Sequence, residues 1–363
     1  MREDIHRDIS DDTLSLAALF GISAEANIPV SDLARDKFQE LIRNVDQVPS
    51  RVTLSQIRDC VYLMNESEDP KIVRELDLVP VLESVLNSTT DEADKKISLS
   101  SLAELIDLKK AHFYPDQLDG YANIYEKHFP GELAEHIRSL ANEWTAELRV
   151  MLNDIVRLAE AYQTDPNSKD PILTSREVSS RLERAAKDGV LARLPSWFRT
   201  QTDLDGNFTR IDFPIPVQSE FSLYGVRWQP GVRTNIHNHL VRGGIEVIAA
   251  GEMKATNFKV TGNTKLVDFE GRQLQVEEVR RLGSHRLVAG SQAIAASLDG
   301  ENNRHIGRNP NYDKIAITIH FYPGRIDGDV THLPIEGHDP IDSPSALAYY
   351  RVVNNRIGQD ASK

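Results

Sequence analysis

The sequence contains a single cysteine, Cys60, among its 363 residues. One thiol cannot form an intrachain disulfide or a cysteine-based zinc site, so we expect a protein of a reducing compartment, the cytoplasm. The longest apolar stretch, near residues 14–22, is far shorter than the ~20 residues of a membrane span. Because the first residues, MREDIHRDISDD, are acidic and polar, we also expect no signal peptide. The excess of acidic residues disfavours an anionic membrane surface, so we expect no membrane partner.

The sequence also lacks an excess of basic over acidic residues. The 42 Lys and Arg residues are outnumbered by 55 Asp and Glu residues, which gives a formal net charge of −13. Nucleic-acid-binding proteins need a basic surface that neutralises phosphates, so the sequence predicts no nucleic-acid partner. The chain also lacks a Gly-rich loop with the Lys of a P-loop, which argues against a phosphate-binding enzyme of that type.

Glycine is scarce in the first half, where residues 1–165 contain three, whereas the rest of the chain contains seventeen. Glycine-poor sequence favours helices, and glycine-rich sequence favours tight turns between strands. We therefore expect an all-α helical domain over residues 1–165, a strand-rich domain over 172–345 and a C-terminal tail over 346–363. The polar run 164–171 is typical of a linker.

Apolar residues at steps of three or four predict the helices of the first domain. The strongest pattern covers residues 133–162 and includes Leu140, Trp144 and Leu148. This stripe is either part of the core or a homodimer interface of the helical domain. Further patterns predict helices over residues 31–42, 54–64, 79–86, 99–108 and 175–194.

From Phe208 onward, short β-rich runs alternate with turn signals such as Thr261-Gly262-Asn263. Several short strands at this spacing predict a sandwich or barrel, so the fold class expected for the whole chain is α+β. The predicted strands cover residues 221–228, 244–250, 252–260, 264–269, 273–281, 292–296 and 314–322.

Two histidines stand at alternate positions in the run GVRTNIHNH, which ends at His239. Residues i and i+2 of a strand point to the same face, so His237 and His239 would offer two imidazoles to one metal ion. The spacing Gly-x5-His-x-His also opens the first cupin motif. A glutamate usually follows after four or five residues, but Gly244 stands at the fifth position here. Glu246, two residues later, either supports the metal ligands or is itself a ligand.

A second polar set follows His305, in the run Thr318-Ile-His320-Phe-Tyr322. In a strand, Thr318, His320 and Tyr322 share one face, while the apolar residues between them face the core. A polar row that faces into a barrel is either a relay used in chemistry or a buried, satisfied hydrogen-bond ladder.

Together, these motifs resemble the cysteine dioxygenase-type thiol dioxygenases of the cupin superfamily, over about residues 172–335. The matching segments keep their order along the chain. They are the His-x-His strand with its continuation GGIEVIAAG, the His305 segment with Asn309-Pro310, the Thr-His-Tyr row, Phe208-Thr-Arg210, and Trp228. The resemblance implies a cupin barrel (double-stranded β-helix, jelly-roll) after the N-terminal helices.

The resemblance also implies a chemistry, in which Fe(II) and O2 oxidise a small thiol, most simply L-cysteine, to the sulfinic acid. The implied iron ligands are His237, His239 and His305. The implied relay consists of Tyr322, oriented by His320 and Thr318. The implied substrate-binding residues are Arg210, which would hold a carboxylate, Phe208 and Trp228, with Arg227 and Arg233 as alternatives to Arg210.

Some features depart from the family pattern. Gly244 stands where animal members carry a cysteine cross-linked to the tyrosine, so that cross-link cannot form here. The N-terminal 165 residues have no counterpart in the small single-domain members. Two other functions stay open: a biosynthetic cupin that converts cysteine to a product such as a sulfonamide aldehyde, with nickel or another metal, and a non-catalytic cupin that senses a metal or metabolite.

Other reactive side chains have simpler interpretations. His285 lies in the run Gly-Ser-His-Arg, which predicts an exposed loop position. Cys60 lies on the apolar face of a predicted helix and is expected in the core rather than as a nucleophile.

Overall fold

The computed structural model describes residues 29–47, 54–67, 69, 72–164, 171–200, 208–216, 219, 221–234, 236–239, 244–269, 272–289, 294–295, 303–324, 328–334 and 345–354. The chain divides into two compact units, Met1–Trp144 and Thr145–Lys363. N-terminal helices are followed by antiparallel sheets, as the sequence predicts. Across the described residues, no helix is both long enough and apolar enough to cross a membrane.

The described part of the first unit is helical. Its helices are α1 Val30–Gln47, α2 Leu54–Glu66, α3 Ile72–Glu75, α4 Val79–Ser88, α5 Glu92–Lys109, α6 Pro115–His128 and α7 Glu132–Asn142, with a 3-10 turn at Lys110–His112. Local chemistry sets some of these ends, since the Asp91 carboxylate accepts hydrogen bonds from Ala93 and Asp94 at the start of α5. In the core, the buried Tyr125 hydroxyl donates to the carbonyl of Leu99.

The single helix predicted over residues 133–162 is two helices in the structure, α7 and α8 (Ala146–Thr164). Thr145 starts α8, because its hydroxyl oxygen accepts a hydrogen bond from the backbone N–H of Leu148 at 3.4 Å. The apolar spacing continues across this break, which is why the pattern alone did not reveal it. Leu140, Trp144 and Leu148 are all buried within the single chain, as expected for core residues.

The division between the units also differs from the predicted domain boundary. It lies at Trp144, before α8, whereas the sequence placed it near residue 165. The physical reason is packing, since α8 contacts α9 (Pro171–Lys187) and so belongs with the second unit. Most of the predicted linker, residues 165–170, lies outside the described residues.

The second unit continues with a 3-10 turn at Leu191–Arg193, the short helix α10 (Trp197–Thr200) and then strands. The described strands are β1 Phe208–Asp212, β2 Ser222–Trp228, β3 Ile236–His239, β4 Ile245–Ala250, β5 Glu252–Phe269, β6 Arg272–Val288, β7 Ile294–Ala295, β8 Asn303–Arg308, β9 Ala316–Tyr322, β10 Gly328–Pro334 and β11 Ser345–Asn354.

These strands form two antiparallel sheets. One has the order β1-β2-β9-β4-β7, and in the other the strands β10-β11-β6-β5-β8-β3 close on themselves because β3 pairs with β10. The C-terminal tail predicted from residue 346 begins instead with β11, which pairs with both β10 and β6. Of these partners β6 lies much earlier in the chain, and the pairing with both strands is set by closure of the sheet rather than by a pattern within residues 346–363. Residues 355–363 of the predicted tail lie outside the described residues.

The turn predicted at Thr261-Gly262-Asn263 is a bulge inside one long strand. The β5–β6 ladder pairs Val260 with Val279 and resumes with Thr264 opposite Glu277, so the three residues between are extruded. Gly262 has a φ of +81°, which favours glycine. The side chains of Thr261 and Asn263 both donate to the Glu278 carboxylate, at 2.9 and 2.6 Å. A turn-like sequence therefore produces a bulge when its polar groups find partners on the neighbouring strand.

Candidate active site

The two sheets of the second unit face each other across a cavity of about 170 Å3. Strands β1, β2, β4 and β9 supply one wall, and β3, β8 and the segment before β3 supply the other. The described lining residues are Phe208, Arg210, Tyr224, Val226, Trp228, Thr234, His237, Glu246, His305, Gly307 and His320. The cavity thus brings together most of the residues that the sequence singled out from five separate segments.

Two of the predicted metal ligands are neighbours in the cavity wall. His237 on β3 stands directly opposite His305 on β8 in the ladder, and their ring centroids are 4.3 Å apart. His239 follows two positions later on β3, where its backbone pairs with Asp329 of β10. Its side chain lies outside the described part, and no cluster of three His, Cys, Asp or Glu residues occurs among the described residues.

The opposite wall is built by strand register. In the antiparallel ladders, Tyr224 on β2 pairs with His320 on β9, and His320 pairs with Glu246 on β4. Directly opposite residues of antiparallel strands point to the same face. These three side chains therefore form one polar row across the sheet, and the rings of Tyr224 and His320 stack with centroids 5.0 Å apart.

Thr318 connects this row to Trp228. The indole N–H of Trp228 donates to Thr318 Oγ1 at 2.9 Å, and Oγ1 lies 2.7 Å from His320 Nε2. Since the indole is a donor only, it uses an oxygen lone pair, and the threonine keeps one proton to donate. Thr318 and His320, which the sequence places on one strand face, are therefore joined by a buried hydrogen bond.

Glu246 is a buried carboxyl group in the same row. Its Oε1 has no hydrogen-bond partner among the described residues and lies 3.7 Å from His320 Nε2. Burial raises the pKa of Glu246 to about 7, and a hydrogen bond with Thr318 opposes this rise only in part. A carboxyl group that titrates near neutrality inside a cavity is typical of functional sites.

This raised pKa makes stability depend on pH. Between pH 4.5 and about 7, the folded state holds the Glu246 proton more tightly than the unfolded state does. The free energy of unfolding of the wild type therefore falls as pH rises through this window, because folding then requires either a buried charge or uptake of a proton. We expect Glu246→Gln to gain stability relative to the wild type between pH 4.5 and 8, by up to about 3 kcal/mol. Urea unfolding of EDTA-treated protein at several pH values would measure this, and a pH-independent difference would contradict it.

Arg210 stands on β1 with its side chain half exposed at the cavity. Its Nε donates to Asp212 at 2.9 Å, and its guanidinium carbon lies 4.0 Å from the Tyr224 ring centroid. Arg227, an alternative in the sequence analysis, has the opposite parity on β2 and donates to the Arg199 carbonyl at 2.6 Å. Of these two arginines, the structure therefore places Arg210 at the cavity.

Tyr322 follows His320 by two positions along β9 and is not among the described residues that line the cavity. Its side chain is 1% exposed, and its ring packs so closely on Gly244 that a Cβ there would overlap it. Glycine at position 244 thus makes room for the tyrosine ring. The structure brings Thr318, His320 and Tyr322 to one strand face, but only His320 of these three lines the cavity.

Sequence reasoning missed some of the lining residues, among them Tyr224, Val226 and Thr234. A signal existed for the first two, because they alternate with Trp228 along β2 and so share its face. Thr234 precedes β3, and its hydroxyl accepts a hydrogen bond from the Gly307 backbone N–H at 3.1 Å. That contact joins residues 73 positions apart, so no local pattern indicated it.

The two remaining predictions have clear outcomes. Cys60 is buried in α2, as expected, and burial raises the pKa of its thiol to about 12, so it stays protonated at neutral pH. His285 is exposed, as expected, but it lies within β6, opposite Ala255 of β5, rather than in a loop. The glycine-containing run forms part of strand β6 because its backbone pairs with β5.

The chain matches no protein-family model and no curated protein sequence. Among solved structures, it is similar to oxalate oxidase in complex with glycolate, at 16% identity and a TM-score of 0.24, over 37% of this chain and 63% of that one. A sugar phosphate isomerase from a cupin superfamily of Silicibacter pomeroyi aligns at 16% identity and a TM-score of 0.24, over 39% of this chain and 76% of that one.

A further similar structure is DMSP lyase DddQ from Ruegeria pomeroyi, at 18% identity and a TM-score of 0.24, over 36% of this chain and 54% of that one. The chain therefore spans less than two thirds of the length of the oxalate oxidase and of the lyase. Similarity at this level does not establish a family for the chain.

Proposed function

We propose that the second unit is a cupin-type, metal-dependent oxygenase that oxidises the thiol of a small amino or carboxy thiol, L-cysteine first among them, to a sulfinic acid. The reaction adds both atoms of O2 to sulfur, so it needs no other oxidant or reductant. The observation that carries the proposal is the His237–His305 pair, which shares one cavity with Arg210 and His320.

The residues present fit a metal ion. Two imidazoles with ring centroids 4.3 Å apart face a cavity, and imidazole suits iron and nickel. Fe(II) would be held by His237, His305 and His239, the third being the residue that the His-x-His spacing predicts as a ligand. When bound, Fe(II) supplies the activation of O2 and deprotonates the coordinated thiol. Three neutral histidines would leave the negative charge to be supplied by the substrate thiolate.

The cavity suits a small ligand. A cavity of about 150 Å3 holds benzene, so about 170 Å3 has room for the seven heavy atoms of L-cysteine. Phe208 and Trp228, with ring centroids 5.6 Å apart, would exclude water from one side of the ligand. Arg210 would bind the substrate carboxylate through its terminal nitrogens, since its Nε is used by Asp212.

The polar row would hold protons at defined atoms. Thr318 accepts a hydrogen bond from Trp228 through one oxygen lone pair, and its own hydroxyl proton stays available. It can donate that proton either to His320 Nε2 or to the Glu246 carboxylate. His320, the relay member that reaches the cavity, would hydrogen-bond the reacting oxygen atoms. Tyr322 would act by fixing the stacked rings of Tyr224 and His320, with which it also stacks.

The function is tested by the mass of the product. Iron-loaded protein incubated with L-cysteine in air is expected to yield a product heavier by two oxygen atoms, because both atoms of O2 pass to sulfur. With 18O2, both added atoms are expected to be labelled. Unchanged cysteine, or a product that has lost carbon, contradicts the proposal.

A further inference from the structure

Among the described residues that line the cavity, Glu246 carries a carboxyl group whose purpose the metal site does not explain. Glu246 lines the cavity, is 8% exposed, and presents an Oε1 atom that no described residue hydrogen-bonds. The carboxyl group has one hydrogen bond, with Thr318. Buried carboxylates are normally paired with a cation or fully hydrogen-bonded, so leaving Oε1 without such a bond is costly. Its position therefore points to a partner that arrives with the ligand.

The neighbouring residues do not fill this role. His320 is the nearest basic side chain, but its Nε2 is 3.7 Å from Oε1 and is already 2.7 Å from Thr318. Among the described lining residues, Arg210 is the one permanent cation, and it pairs with Asp212 at 2.9 Å. A compensating positive charge for Glu246 would thus come from the bound molecule.

The geometry also separates two charges within the cavity. Arg210 lies over the Tyr224 ring, Tyr224 stacks on His320, and His320 stands beside Glu246. The guanidinium is therefore at one end of this stack and the carboxyl at the other. A zwitterion would place its carboxylate toward Arg210 and its ammonium toward Glu246, with each charge meeting its opposite.

We propose that Glu246 recognises the ammonium group of an amino-thiol substrate and so determines that the site prefers L-cysteine to thiols without an amine. This rests on the proposed function, whose thiol substrate it specifies. Burial, which raises the pKa of Glu246 to about 7, disfavours its charged form, and an arriving ammonium group would offset that cost.

The test compares two ligands that differ only in the amine, L-cysteine and 3-mercaptopropionate. Their dissociation constants are measured by calorimetry under argon on iron-loaded protein, so that no turnover is needed. The wild type is expected to bind L-cysteine about tenfold or more tightly than 3-mercaptopropionate. Glu246→Gln is expected to bring this ratio to within about threefold of one, and Glu246→Asp, which keeps the charge, to restore part of the preference.

A matched control is Glu252→Gln. Glu252 is also a buried glutamate, 8% exposed, but it pairs with Arg286 and is not one of the described residues lining the cavity. This control is expected to keep the wild-type ratio. Iron content, measured on every variant, is expected to stay at the wild-type level.

Three results would overturn the inference: a ratio unchanged in Glu246→Gln, equal weakening of both ligands, or loss of iron from that variant, which would make Glu246 a metal ligand. Failure of the proposed function looks different. If the wild type oxidises neither thiol yet shows a Glu246-dependent preference for L-cysteine, the function fails and the inference stands. If L-cysteine is oxidised and the ratio of the two dissociation constants is the same in the wild type and in Glu246→Gln, the inference alone fails.

Discussion

Replacing His305 or His237 with alanine is expected to remove iron from the protein and to abolish thiol oxidation. These rings lie 4.3 Å apart in the cavity wall, and each would supply one nitrogen to the metal. Changing a residue that merely supports a metal ligand weakens binding about 10–100-fold, so loss of a ligand itself should cost at least about 100-fold. Iron per chain, measured by mass spectrometry after dialysis, should fall from about one to near zero.

His285→Ala is the matched control, because His285 is exposed on β6 and is not among the described lining residues. It is expected to keep its iron and its activity. His239→Ala tests the third predicted ligand and is expected to behave like the His237 and His305 variants. Stoichiometric iron in all three of those variants would refute the metal assignment, whereas retention in His239→Ala alone would restrict it to the His237–His305 pair.

Arg210→Ala is expected to weaken L-cysteine binding about 10–100-fold, the second-largest effect. A charge-assisted hydrogen bond to a carboxylate is worth about 1.5–3 kcal/mol, and the Arg210 guanidinium is the one permanent cation among the described lining residues. The measurement is the dissociation constant under argon, together with KM for O2-dependent turnover. Cysteamine, which is L-cysteine without its carboxylate, should lose less than about threefold, because it has no group for Arg210 to bind.

Arg233→Ala serves as the control for this variant and also tests an alternative named from the sequence. Arg233 is exposed on the segment before β3 and is not one of the described residues that line the cavity. Its replacement should leave L-cysteine affinity within about threefold of the wild type. Equal losses for L-cysteine and cysteamine in Arg210→Ala would mean that the arginine supports the wall rather than binding the carboxylate.

Period-two alternation explains much of what could be predicted about the site. His320 and Thr318 were placed on one face of a strand, and the structure joins them by a 2.7 Å contact. The same rule predicts that Arg227 and Trp228 lie on opposite faces of β2. In the structure Trp228 lines the cavity, whereas Arg227 donates a hydrogen bond to the Arg199 carbonyl. Alternation is a property of the backbone, so it survives in any sheet arrangement.

Strand pairing was the part that local patterns did not predict. The sequence predicts a tail where β11 lies, because the pairing of β11 with β10 and β6 is set by the closed sheet rather than by neighbouring turns. Glu246 was recognised as a residue near the metal site, but its place beside His320 depends on the register of β4 against β9. A shift of one residue would have turned Glu246 to the other face.

The sequence by itself determined the order of the elements, helices first and strands afterwards, because glycine content and apolar periodicity act over a few residues. It also determined which side chains share a strand face. Only the tertiary structure decided that α8 joins the second unit, that the residues at 261–263 form a bulge rather than a turn, and that His237 meets His305. Those outcomes depend on contacts between different helices and strands, which are selected by the burial and hydrogen bonding of the whole unit and which the pattern within one segment does not contain.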